Sequence, residues 1–110
     1  MKRFAKMARL KPDKVEFYKR IHAAVWPEVL ELIRKGHIHN YSIFYRDGYL
    51  FSYLEYDERP GDDESSSIPL EQLKQKNREW AELCLPCFDR LETAQPGEIE
   101  CPMEEVFHTD

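Results

Sequence analysis

A βαββαβ chain, the ferredoxin-like α+β arrangement with both helices on one sheet face, is what this sequence predicts. Three observations carry the prediction. Four stretches read as strands, the first alternating imperfectly and the second regularly, and two stretches repeat at the helical period. Asp47-Gly48 then joins the second and third strands by a two-residue hairpin turn, the strongest local signal in the chain.

In order, Lys2 to Leu10 sets Phe4, Ala8 and Leu10 against Arg3, Ala5 and Arg9 and reads as the first strand. Pro12-Asp13 supplies a turn and an N-cap for the helix that follows. On that helix Val15, Tyr18, His22, Val25, Trp26, Val29, Leu30 and Ile33 fall on one face. Pro27 lies inside it, removing a backbone donor and clashing one turn back, so a kink or break is expected between Ala23 and Trp26. The second half, Pro27 to Lys35, starts on a residue suited to a first turn and is capped by Gly36.

His37 to Arg46 alternates as a strand, with His37, His39, Tyr41, Ile43 and Tyr45 on one face. After the turn, Tyr49 to Tyr56 returns antiparallel, setting Leu50, Ser52 and Leu54 against Tyr49, Phe51 and Tyr53. Large apolar groups stand on both faces of this hairpin, so both faces need a cover. The helices cover one; a second copy of the chain covers the other, and a homodimer joined through its sheets is expected. Asp57 to Ser67 is a polar, acidic and mobile loop. The second amphipathic helix runs from Pro69 to Leu85 on a stripe of Leu70, Leu73, Asn77, Trp80 and Cys84, and Pro86 ends it. Leu91 to Pro102 is a loop, and Met103 to His108 the last strand. Residues 1–110 form one domain without internal repeats.

The 110 residues are 42% apolar and 13% aromatic, which places the chain among globular rather than disordered proteins. A formal charge of -5 offers nucleic acid or an anionic membrane no electrostatic attraction. No apolar run approaches the ~20 residues of a membrane span, and Met1-Lys2-Arg3-Phe4-Ala5-Lys6 lacks a signal peptide's apolar core, so a cytoplasmic location is expected. Three cysteines without a secretion signal argue against a disulfide framework. Cys84-Leu-Pro-Cys87 has the spacing of a redox or zinc half-site, but it closes a helix instead of opening one. Cys101 and His108 complete no usual zinc pattern with it, so three reduced, buried thiols are expected.

No GxSxG elbow, phosphate loop, dinucleotide fingerprint or HExxH occurs. The chemistry rests on polar residues inside apolar stripes. Tyr18 and His22 stand one turn apart on the first helix, and His39 and Tyr41 two residues apart on a strand. If that sheet face meets the helix stripe, two imidazoles, two phenols and the Trp80 indole converge in a neutral, aromatic cleft. Such a cleft suits an uncharged polyhydroxylated ligand, since rings stack on sugar C–H faces while phenols and imidazoles bond hydroxyls. Imidazole titrates near neutrality and can pass protons at physiological pH. It could equally hold haem iron or a metal. His37, at the strand's start, is expected to be structural or solvent-exposed.

Taken together, these residues resemble the L-rhamnose mutarotases, small dimeric α+β barrel proteins. The resemblance spans nearly the whole chain. It runs through Pro12-Asp13, Tyr18-x-x-x-His22-x-x-x-Trp26-Pro27-Glu28, His39-Asn40-Tyr41-Ser42-Ile43, Trp80, Pro96-Gly97-Glu98 and Met103-Glu104-Glu105-Val106-Phe107. It implies an isomerase that interconverts the α and β anomers of L-rhamnose or a related deoxy sugar, with no cofactor. It implies His22 as proton donor, with Tyr18 and Tyr41 on sugar hydroxyls. The family's substrate site includes a Trp-Trp pair on the second helix that reads Glu79-Trp80 here, so Glu79, Trp80 and His39 join the expected substrate-binding residues; the acidic loop before that helix is longer. The base is open among His39, Tyr41 and a bound water. Two other readings share the fold or the site: a cofactor-free monooxygenase or haem-binding barrel, and a sugar-binding protein that does not catalyse.

Overall fold

The computed structural model describes residues 1–58 and 66–110, so most of the acidic loop expected at 57–67 lies outside the described residues. The elements are β1 (Lys2–Leu10), α1 (Val15–His22), α2 (Pro27–Lys35), β2 (Ile38–Arg46), β3 (Tyr49–Tyr56), α3 (Leu70–Cys84), β4 (Phe88–Asp89) and β5 (Cys101–Met103). The sheet is antiparallel in the order β2-β3-β1-β4, with β5 also on β1. This is the ferredoxin-like strand order, with one departure. The last strand is two short pieces: β4 pairs with Arg9 and Leu10, and β5 with Ala5 to Met7. The expected strand at Met103 to His108 therefore starts two residues too late, and among the described residues 104–108 pair with no strand. Pro102 inside β5 reaches an edge position, where a missing donor costs the ladder little.

Pro27 breaks the first helix rather than bending it. α1 ends at His22 and α2 begins at Pro27, with Trp26 extended at φ -62°, ψ 141° as its N-cap. The amides of Val29 and Leu30 donate to the Trp26 carbonyl, so the new helix nucleates on that residue. Two expected caps differ. Asp13 sits within a 3₁₀ turn, Pro12–Lys14, and Lys14 takes the N-cap position without a side-chain bond. Gly36 is the C-cap as expected but has φ -81°; the left-handed residue is His37 at φ 58°, whose amide donates to the Arg34 carbonyl.

Asp47 and Gly48 both take positive φ, 50° and 90°, as a type I′ hairpin turn requires. The Gly48 carbonyl accepts a bond from the Leu10 amide, tying the turn to the end of β1. The core lies between one sheet face and the helices. Ala8, Leu10, Leu50, Val15, Tyr18 and Cys87 form one buried cluster, and Val29, Trp80 and Cys84 a second between α2 and α3. Phe17 and Ile21, on the sides of α1, pack against these clusters as well. All three cysteines are free and buried. Among the described residues, no helix is long and apolar enough to cross a membrane.

Candidate active site

A cleft of about 440 Å³ opens between the sheet and the helices, with Tyr18, His22, Tyr41, Asn77, Trp80 and Glu100 contributing its polar and aromatic groups. Its size falls within the range of small-ligand pockets. These side chains arrive from separate parts of the fold: α1 brings Tyr18 and His22, β2 brings Tyr41, and α3 brings Asn77 and Trp80. Glu100 comes from the residue immediately before β5.

His22 is fixed on three sides. Its Nδ1 lies 2.8 Å from the Tyr18 carbonyl oxygen. A carbonyl can only accept, so Nδ1 carries the hydrogen and Nε2 is the ring nitrogen not committed to the helix backbone. The ring stacks on the Tyr18 phenol at 4.0 Å between centroids and meets the Trp80 indole edge-on at 5.2 Å. Trp26 backs Trp80 at 5.3 Å, also edge-on. The helix break before Pro27 sets these two tryptophans against each other across separate helices.

The phenols stay protonated. Burial holds Tyr18 well above its ordinary range, with smaller contributions from the neighbouring Cys84, Tyr41 and Glu100. Burial also raises Tyr41, followed by Glu100 and Cys84. Both therefore reach the cleft as hydroxyl donors. Cys84 lies in the same wall, its thiol pushed up to about 11 chiefly by burial, and it is inert at neutral pH.

His39 does not join them. Between His39 and Ser42 the pairing of β2 with β3 shifts by one residue: His39 faces Glu55, and Ser42 faces Tyr53. Asn40, at φ 50°, is the extra residue of this β-bulge. Strict alternation would put His39 and Tyr41 on one face. The bulge reverses the parity, so Tyr41 turns to the helices and His39 to the other side of the sheet, beside Glu55. The bulge has its own clamp: Asn40 Nδ2 donates to Glu55 Oε1 at 2.6 Å, and the Tyr53 hydroxyl donates to Glu55 Oε2 at 2.8 Å. The bond from Asn40, then that from Tyr53, holds the Glu55 carboxyl below its ordinary range. Asn is among the few residues that enter the left-handed region readily. Asn40→Ala is therefore expected to lose about 1–2 kcal/mol of stability and Asn40→Gly clearly less, measured by urea unfolding. Equal losses in the two variants would show that the clamp, and not the backbone conformation, carries the effect.

Glu79 also stands outside the cleft. It pairs with Lys76 at 3.7 Å and accepts a bond from Gln75, both on α3 itself. The expectation that Glu79 binds substrate in place of the family's first tryptophan is therefore not met: its carboxylate is engaged along the solvent side of α3. Conversely, Lys6, Ser52 and Glu100 reach the cleft floor, where the sequence had suggested no charge at all. Lys6 has the strand parity of Phe4, Ala8 and Leu10, and that parity was the available signal for it. Glu100 lies in a loop, where no periodicity points the way.

The family model for L-rhamnose mutarotase matches residues 3–109. Curated proteins named L-rhamnose mutarotase from Oceanobacillus iheyensis and Bacillus subtilis are 31% and 32% identical, each alignment covering 100% of both chains. The crystal structure of an L-rhamnose mutarotase from Formosa agariphila superposes with a TM-score of 0.70 at 23% identity, covering 100% of both chains, and so shares the fold. Matched from end to end by the family model and by relatives of its own length, the chain belongs to the L-rhamnose mutarotase family.

Proposed function

We propose that the cleft interconverts the α and β anomers of L-rhamnose or a related deoxy sugar, with His22 as the acid and Tyr18, Tyr41 and Trp80 holding the ring. The observation that carries this reading is the tethered imidazole: with Nδ1 committed to the Tyr18 carbonyl, Nε2 is the proton-exchanging atom beside the cleft's two phenols. In ring opening, Nε2–H of the imidazolium gives its proton to the ring oxygen while the anomeric hydroxyl loses one. The C1–O5 bond breaks and a free aldehyde forms. Rotation about C1–C2 and closure on the other carbonyl face reverse both transfers. Because His39 faces away, the proton leaving the anomeric oxygen goes to a group on the cleft side. Anomers exchange unaided in water, so modest acid–base assistance is enough. Saturation-transfer NMR on L-rhamnose with micromolar protein tests the reading. Exchange faster than in buffer is expected, and an exchange rate equal to buffer would overturn it.

We further infer that the chain works in the cytoplasm as a homodimer. Support comes from the sheet face turned away from the helices. Phe44 is 61% exposed and pairs with Phe51, and Met103 is 44% exposed on β5. Val106 and Phe107 follow, 88% and 79% exposed, at the end of a chain that has left the sheet. A hollow of about 270 Å³ lies among Arg3, Tyr53, Met103 and Phe107 on the same side. Large rings side by side on one exposed face mark an association surface rather than scattered surface residues. Sedimentation equilibrium at micromolar concentration should give twice the chain mass, and Phe44→Glu should shift it toward the monomer. A wild-type monomer would rule the dimer out.

A further inference from the structure

Below the main cleft, a second, partly open hollow of about 20 Å³ is lined by Lys6, Ser52, Tyr18, Tyr41 and Glu100 among apolar neighbours. The two spaces share Tyr18, Tyr41 and Glu100, so the small cavity is the floor of the large one. Its volume admits about one oxygen-sized group.

The sheet register builds this floor. Lys6 on β1 stands directly across from Ser52 on β3, and Ser52 stands across from Ile43 on β2. Tyr41, turned inward by the bulge, comes next along β2, and Glu100 closes the far side just before Cys101 pairs with Met7. Lys6 is half-buried in mid-strand on the core face, two residues from the buried Ala8, and Tyr41 and Glu100 are exposed, so the polar atoms of this floor reach solvent. Among the described residues none of these five side chains donates or accepts a side-chain hydrogen bond or forms an ion pair within the protein. Their chemistry is complementary: Lys6 donates, Glu100 accepts, the serine does both, and the two phenols, held protonated, donate. Polar groups that converge on one small space without bonding one another are left to water, or to a ligand hydroxyl that takes the water's place.

We propose that Lys6, Ser52 and Glu100 form, with the two phenols, a subsite for a single sugar hydroxyl. Glu100 accepts the hydroxyl's hydrogen and Lys6 donates to its oxygen, which makes this charged pair the determinant of which sugars bind. A site built to bond a hydroxyl rejects an analogue lacking it, because the pair is then left facing each other across an unfilled space. This rests on the mutarotase reading for the ligand class, and the test separates the two.

The experiment is a cycle between protein variants and sugars. Lys6→Met, Glu100→Gln and wild type are each titrated, by quenching of tryptophan fluorescence, with L-rhamnose and its 2-, 3- and 4-deoxy analogues. Anomer exchange is measured alongside. One deoxy sugar should bind wild type about 10–100-fold more weakly than L-rhamnose. Each variant should lose a similar factor for L-rhamnose and little more for that deoxy sugar, with kcat changed less than about threefold. Thermal unfolding of the variants near the wild-type Tm shows that the fold is kept. Independent, multiplying losses for every deoxy sugar, or undiminished binding by both variants, would overturn the subsite. Wild type that binds L-rhamnose with this coupling but accelerates no exchange would sink the mutarotase reading and leave the subsite standing.

Discussion

Replacing His22 by Ala is expected to lower catalysed anomer exchange by about 10²–10⁴-fold, the usual contribution of one positioned acid–base group. The chain should stay folded, because the lost bond to the Tyr18 carbonyl is worth only about 0.5–1.5 kcal/mol net. The companion variant is Tyr18→Phe. It keeps the main-chain carbonyl that orients Nδ1 and the ring face that stacks on the imidazole, and removes only the hydroxyl proposed to bind substrate. Its expected signature is a raised KM with most of kcat retained, whereas His22→Ala loses kcat. Saturation-transfer NMR at several sugar concentrations separates the two. Full exchange by the alanine variant, or equal kcat losses in both, would remove His22 from the role of acid.

Why the side shared by Tyr18 and His22 could be read from the sequence, while that of His39 and Tyr41 could not, follows from local rules. Tyr18 and His22 are one helical turn apart, and no tertiary event changes which side of a regular helix they share. Pro27 announces its break by chemistry that holds in any context, and Asp47-Gly48 does the same for the hairpin. His39 and Tyr41 differ because strand parity survives only while pairing stays in register. One extra residue reverses everything beyond it. The clue was Asn40, a residue suited to positive φ in the middle of an alternating run, but its clamp on Glu55 lies fifteen positions away and becomes visible only when the strands are paired. The last strand fails for a related reason. Phe88–Asp89 and Cys101–Met103 are too short to show a period, and the apolar Val106 and Phe107 imitate a strand although they extend past the sheet. Lys6 and Glu100 meet at the cleft floor through the pairing of β5 with β1, a contact between the two ends of the chain that no local window contains.

Trp80→Ala is expected to cost about 3–5 kcal/mol of stability, the largest effect of any single truncation at the cleft. The indole is 9% exposed and belongs to the buried cluster with Val29 and Cys84, so its removal leaves a void between α2 and α3. Against the ~5–15 kcal/mol that holds a domain of this size together, such a loss is a large share of the total, and urea titration reads it directly. Exchange should fall as well, for two separable reasons: the sugar loses its stacking face, and His22 loses the edge contact that limits its ring from the α3 side. Trp80→Phe distinguishes them. A smaller ring still fills part of the void and still meets the imidazole, so stability should largely return. If exchange returns with it, packing against His22 was the main loss; if KM stays high, the wide indole face is what the sugar needs. Trp26 makes the second result the expected one. It already backs Trp80 edge-on from the far side of the Pro27 break, holding the indole's plane toward the cleft, and it cannot supply that face itself. With Glu79 turned to Lys76, Trp80 alone on α3 presents an aromatic ring to the cleft, and a Trp80→Ala protein that unfolds at the wild-type urea concentration and exchanges anomers at the wild-type rate would refute that assignment.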